Sequence, residues 1–105
     1  MEQEYAIVLT TTATEQQARE MARSVVTQKL AACVQINAIE SIYQWEEELR
    51  EEPEWRLTIK TGAAKCAELE RHIKAHHAYD TPEIIHLTIA GGSAEYLRWI
   101  DDCTP

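Results

Sequence analysis

At 105 residues the chain has the size of one compact domain, read here as residues 1–105, and is long enough to bury a core. Ten basic against eighteen acidic residues give a formal charge of −8, which opposes binding to a phosphate backbone, so nucleic acid is not an expected partner. No apolar run approaches the roughly 20 residues that span a bilayer, so no membrane partner is expected, and Met1-Glu2-Gln3-Glu4 lacks the basic stretch of a secretory signal. Cys33, Cys66 and Cys103 are odd in number and show no CxxC spacing. Neither a disulfide framework nor a zinc knuckle is indicated, and a reducing, cytoplasmic setting is expected.

Residues 5–11, with Ala6-Ile7-Val8-Leu9 at their centre, form a nearly continuous apolar run that predicts a strand covered on both faces. Thr14 followed by Gln17 is a capping-box signal that opens a helix. Ala18, Met21, Ala22, Val25, Val26 and Leu30 then make one helical stripe, with Arg19, Glu20, Arg23 and Lys29 on the other side. Ala31-Ala32 leads into a second strand over residues 33–36. From Ile39 to Thr61 the chain reads as a long hairpin. Ser41, Tyr43 and Trp45 alternate with Ile42, Gln44 and Glu46 on the way out, and Trp55, Leu57 and Ile59 with Arg56, Thr58 and Lys60 on the return. Its tip is placed at the polar Leu49-Arg50-Glu51-Glu52-Pro53.

Gly62 breaks the strand and a helix over residues 63–77 follows, with Cys66, Leu69 and Ile73 on its apolar face. His76 continues that face, and His77 is turned about 100° from it. Pro82 disfavours helical geometry at Thr81, so the helix stops near Tyr79 and an extended segment over residues 83–90 begins. Ser93 caps a short terminal helix carrying Tyr96, Leu97, Trp99 and Ile100. The order β-α-β-β-α-β with a C-terminal helix is an α+β, ferredoxin-like arrangement, an antiparallel sheet with helices packed on one face.

A hairpin arm of about ten residues extends ~33 Å, against a radius of gyration near ~13 Å for a chain of this size. The outer arms therefore overhang the domain while carrying Tyr43, Trp45, Trp55 and Leu57, whose apolar area is costly to leave wet. Pairing with further copies of the same chain is the expected solution, a symmetric homo-oligomer.

With these elements placed, the chain resembles the divalent-cation tolerance (CutA) family. The resemblance rests on Lys29-Leu30-Ala31-Ala32-Cys33-Val34, Ser41-Ile42-Tyr43-Gln44-Trp45, Glu54 with Lys60-Thr61, His76-His77-Ala78-Tyr79-Asp80-Thr81-Pro82-Glu83-Ile84, and Tyr96-Leu97-Arg98-Trp99-Ile100. It implies a ferredoxin-like fold, a homotrimer with hairpins interlocked between subunits, and a cytoplasmic protein linked to tolerance of copper and other divalent metals. It implies no established reaction and no obligatory cofactor. The fold is shared with trimeric PII-type signal proteins. The sequence departs from the family at Thr10, where some members place a thiol that joins the two histidines on copper, and at Glu46-Glu47-Glu48, where many have Gly or Asp after the hairpin Trp.

His76 and His77 are the candidate metal ligands, since imidazole suits Cu²⁺, Ni²⁺ and Zn²⁺ and copper binds tightest in the general order. Against this stands the plainer possibility of two partly exposed histidines favoured by the dipole at a helix C-terminus. Cys33, where helix gives way to strand, is either a soft third ligand or a small buried hydrophobe. Cys66 belongs to the core stripe and Cys103 to an exposed tail. The six glutamates of residues 46–54 can collect hard cations, or simply keep an exposed edge solvated. Glu54, Lys60, Tyr79 and Glu83 are candidates to line an intersubunit cleft, or to form a structural network of ion pairs and backbone bonds. The tryptophans read as packing.

Two functions follow. The first is a trimer that binds divalent metal, copper preferentially, and contributes to metal tolerance. The second is a PII-like regulatory or scaffold trimer that binds a small anion or metabolite in its clefts. Enzymatic activity is not expected, because no nucleophile elbow, HExxH helix or other recognisable catalytic constellation is present.

Overall fold

A computed structural model describes residues 4–105. The elements run β1 (Tyr5–Thr12), α1 (Glu15–Thr27), β2 (Cys33–Trp45), β3 (Glu48–Gly62), a 3₁₀ turn (Ala63–Lys65), α2 (Cys66–His76), β4 (Ile85–Ile89) and α3 (Ala94–Cys103). The four strands form one antiparallel sheet in the order β2-β3-β1-β4. That order is the ferredoxin-like one, and it places the two longest strands together at one edge.

Local chemistry explains the boundaries. The Thr14 hydroxyl accepts the Gln17 N–H at 3.1 Å, satisfying one of the orphan donors that open α1. At the other end Lys29 adopts φ 63°, and the Leu30 and Lys29 amides return to the Val25 and Val26 carbonyls, a Schellman closure that buries Leu30. The Ser93 hydroxyl accepts the Tyr96 N–H and starts α3 as expected. Helix α2 ends at His76, one residue before the expected boundary, because His77 is already extended at ψ 143°.

Helices α1 and α2 cover one face of the sheet. Ala18, Met21 and Val25 of α1 and Leu69 and Ile73 of α2 pack on Ala6 and Val8 of β1 and on Leu57 and Ile59 of β3. Tyr5, Ile7 and Leu9 alternate with these core residues and are only half-buried. The expectation that β1 would be covered on both faces is therefore not met within one chain. Among the described residues, α3 alone of the helices reaches the second face, at one end. The Tyr5 hydroxyl donates to Asp101, the Lys60 ammonium donates to the Tyr96 hydroxyl at 3.3 Å, and Ile100 is fully buried. The remainder leaves Ile85 and Leu87 of β4 each 45% exposed.

Strands β2 and β3 outrun the rest of the sheet. Strand β1 ends where Thr12 meets Trp55, so residues 39–45 and 48–54 pair only with each other. Trp55 and the fully buried Leu57, expected on the overhang, pack instead in the chain's own core, because β1 and the helices still run beside them. At ~3.3 Å per residue this free ribbon is about 23 Å long, and it stretches the molecule to 46 × 25 × 22 Å. Pro53, which has no N–H, is tolerated within β3 because no third strand runs beside it there.

The tip differs from its expected place. It is the two-residue turn Glu46-Glu47, with φ 53° and 66°, and the expected tip residues 49–53 lie within β3. Positive φ at both positions is the type I′ geometry that matches strand twist and favours Asn-Gly. Glutamate has no such advantage, and charge alternation gave no hint of the turn. Replacing the pair by Glu46→Asn/Glu47→Gly is expected to raise stability by about 1–2 kcal/mol. A higher urea midpoint with an unchanged slope will check this.

Candidate functional site

The junction after α2 gathers the candidate residues against the end of β1. His77 is the most firmly held. Its Nε2 lies 2.6 Å from the Thr11 carbonyl, which can only accept, so Nε2 carries the proton. Its Nδ1 accepts the Tyr79 N–H at 3.0 Å, and its ring rests 4.9 Å from the Tyr79 ring. Both nitrogens of His77 are thus committed to backbone.

His76 is different. Its Nδ1 lies 2.8 Å from the carbonyl of His72, one turn back, and must donate to it. That leaves the Nε2 lone pair without a partner among the described residues. His76 lines a cleft of about 560 Å³ between α1 and α2, together with Glu20, Ser24 and His77. His72, which the sequence did not single out, stacks on His76 with ring centres 4.2 Å apart, and its Nε2 lies within hydrogen-bond distance of Ser24 Oγ at 2.8 Å. Burial, and then the neighbouring His76 charge, hold the His72 pKa below the usual histidine value. A signal was present in the sequence: two histidines four apart on a helix share a face, the spacing used by metal-binding helices.

Cys33 is not part of this cluster. It is half-buried at the start of β2, paired in register with Lys60, while His77 sits at Thr11 near the far end of β1. Thr10, which stands where the thiol of some relatives is expected, is fully buried and its hydroxyl has no partner among the described residues. Cys66 is buried, as expected, and burial raises its thiol pKa. Cys103 is half-buried rather than exposed. Among the described residues, no group of three or more His, Cys, Asp or Glu side chains converges as a cation site.

Glu54, Tyr79 and Glu83 do come together, at a second cleft of about 820 Å³ between the base of the ribbon and the 79–83 loop. Glu54 is 8% exposed and accepts the Tyr79 hydroxyl at 2.9 Å. Burial, this bond and the Glu54 charge push the Tyr79 pKa up to about 12. Lys60 is absent from this cleft. It lies six residues further along β3, roughly 20 Å away at the strand rise, with its ammonium 5.3 Å from the Tyr96 ring centre. Glu40, Glu52, Glu54, Asp80 and Glu83 face a single Arg50 across the cleft, a charge balance that disfavours a small anion.

Comparison with known proteins places the chain in a family and bears out the fold. Residues 6–103 match the family model described as CutA1 divalent ion tolerance protein. The chain belongs to the CutA1 family. Its relatives include the divalent-cation tolerance protein CutA of Thermus thermophilus, 41% identical over 93% of this chain and 96% of the relative. The chloroplastic protein CutA of Arabidopsis thaliana is also 41% identical, over 93% of this chain, but the chain spans only 54% of that relative's length. Among solved structures, the periplasmic divalent cation tolerance protein CutA of Archaeoglobus fulgidus superposes with a TM-score of 0.95 at 34% identity, covering 96% of this chain and 99% of that one. CutA1 of Oryza sativa gives 0.94 at 39% identity over 97% and 94%. The CutA1 family is named for tolerance of divalent ions rather than for a reaction. In this member, no helix among the described residues is long and apolar enough to cross a membrane.

Proposed function

We propose that this CutA1 family member is a non-enzymatic, cytoplasmic homotrimer that binds divalent metal, copper preferentially, and contributes to metal tolerance. The observation that carries the metal reading is His76. Its Nδ1–H is tied to the helix carbonyl, so the ring is oriented and Nε2 is left to coordinate at the mouth of the α1–α2 cleft. Imidazole nitrogen is a borderline donor that suits copper, nickel and zinc, and copper is bound tightest of these. Glu20 on the same cleft adds negative charge. The names of the relatives, which speak of divalent-cation tolerance, support the same reading. A cytoplasmic setting is supported by the three free thiols.

The trimer is supported by the apolar area one chain leaves exposed. Ile42 and Leu49, 65% and 74% exposed, lie on one face of the ribbon, and Tyr43 and Trp45 on the other. A two-stranded ribbon is marginal on its own in water, so neighbours on both faces stabilise it.

Calorimetric titration of the untagged protein with Cu²⁺ tests the metal reading. His76→Ala is expected to weaken binding by at least about tenfold, as loss of a direct ligand must exceed loss of a supporting bond. Affinity is also expected to fall as pH is lowered, because only neutral imidazole coordinates and protons compete with the metal. Unchanged affinity in the variant would remove His76 from the site.

A further inference from the structure

Glu54 and Lys60 carry opposite charges on the same face of the sheet. Both stand at even positions of β3, so their side chains leave the strand on the side opposite Leu57 and Ile59 of the core. Glu54 is almost wholly enclosed, and its Oε2 accepts the Tyr79 hydroxyl at 2.9 Å. Among the described residues its other oxygen has no hydrogen-bond partner, and no cation lies within ion-pair distance. Lys60 is half-buried, and its ammonium meets the neutral Tyr96 hydroxyl and ring but no carboxylate among the described residues. Enclosed charges are normally paired, because a lone one keeps its full desolvation penalty. Six residues of strand, roughly 20 Å, separate these two, so they cannot pair within one chain.

The surroundings of the two charges are complementary. The cleft of about 820 Å³ at Glu54 is lined by Glu40, Glu52, Asp80 and Glu83 with one cation, Arg50. Lys60 instead stands in register with Ile7 of β1, and Ile7 with the half-exposed Leu87 of β4. Tyr96, which Lys60 touches, and Trp99 beside it are also half-exposed. We propose that Lys60 of a neighbouring copy enters the Glu54–Tyr79 cleft and pairs with the Glu54 carboxylate, so that the cleft is complete only at the seam between two copies. This rests on the proposed homotrimer and names the contact that fixes its register. The contact runs head to tail: each copy gives its Lys60 to one neighbour and takes Lys60 from the other, which closes into a ring. The ammonium exchanges a neutral acceptor for a charged one, the stronger kind of hydrogen bond. It also offsets part of the acidic surplus at the base of the ribbon.

The test compares wild type with Glu54→Gln, Lys60→Met and the double variant by urea unfolding at several protein concentrations, which reports association. Each single variant is expected to weaken association at least about tenfold, because removing one partner strands the other charge. The double variant is expected to be no weaker than the weaker single, the mark of a direct pair. Single variants that leave association unchanged, or losses that simply add, overturn the pair. A second measurement needs no variant to fold. Wild-type protein is assembled from equal parts of carbon-13-labelled and unlabelled chains, and isotope-filtered nuclear Overhauser spectra are recorded. A contact between the Lys60 ε-methylene of one copy and the Tyr79 ring of another is expected. A wild type that sediments as a trimer without this contact overturns the pair and leaves the trimer standing. A monomeric wild type overturns both.

Discussion

Trp45→Asp is expected to convert the proposed trimer into monomers. Trp45 sits at the last position of β2, beside the turn, and remains 45% exposed in the single chain. Covering that fraction of a tryptophan surface is worth about 2–3 kcal/mol per copy. A carboxylate there forfeits the gain and must also be desolvated against the neighbour's apolar surface. Tyr43 shares its face, and the opposite face carries Ile42 and Leu49, so no part of the outer ribbon is a purely polar surface. Because the ribbon beyond Trp55 has no third strand of its own, the variant is also expected to lose order there while the helix-covered core persists. Sedimentation velocity at micromolar concentration separates the outcomes. A trimeric Trp45→Asp protein, or a monomeric wild type, would refute the clasped ribbon.

Tyr79→Phe is expected to cost about 2–3 kcal/mol of stability, the penalty for a buried charged acceptor that loses a partner. The Glu54 carboxylate is almost wholly enclosed and receives the Tyr79 hydroxyl across 25 positions of sequence, so one bond fastens the loop after α2 to the base of the ribbon. The same pair has a signature in alkali. A phenol whose folded pKa is raised contributes stability that is complete below its unfolded value, ~10, and is lost as pH climbs through the folded value. With Tyr79 at about 12, wild type is expected to lose this contribution progressively between pH 10 and 12. Tyr5 and Tyr43 are also raised, each by a hydrogen bond to a carboxylate, so the wild-type curve alone does not isolate Tyr79. The difference between the urea-unfolding curves of wild type and Tyr79→Phe does. A difference that stays flat from pH 9 to 12 would show that the bond is not formed in solution.

How far each feature could be read in advance depended on the range of the forces behind it. Thr14, Ser93, the stripe of Ala18, Met21 and Val25, and the alternation through Leu57 and Ile59 are local signals, and each appears where its pattern placed it. The hairpin turn did not obey its local signal. The polar run of residues 49–53 looks like a loop, yet those residues continue β3 in register with 40–44, and two glutamates accept left-handed backbone instead. The pairing of two long strands outweighs the modest cost of that turn. Cys33 and Lys60 sit beside each other in the sheet but away from His76 and Glu54, a separation along strands that residue types do not reveal.

The amino-acid sequence by itself determined the order of strands and helices, the caps of α1 and α3, the helix stripes and the family, because periodicity, capping and short motifs act within a few residues. Its His76-His77 pair also makes the end of α2 the expected site. Only the tertiary structure decided which nitrogens there are spent and which are spare. That depends on Thr11 of β1 and Ser24 of α1 being brought within hydrogen-bond reach of His77 and His72, and a directional bond of 2.6–2.8 Å across the fold is settled by packing, not by composition.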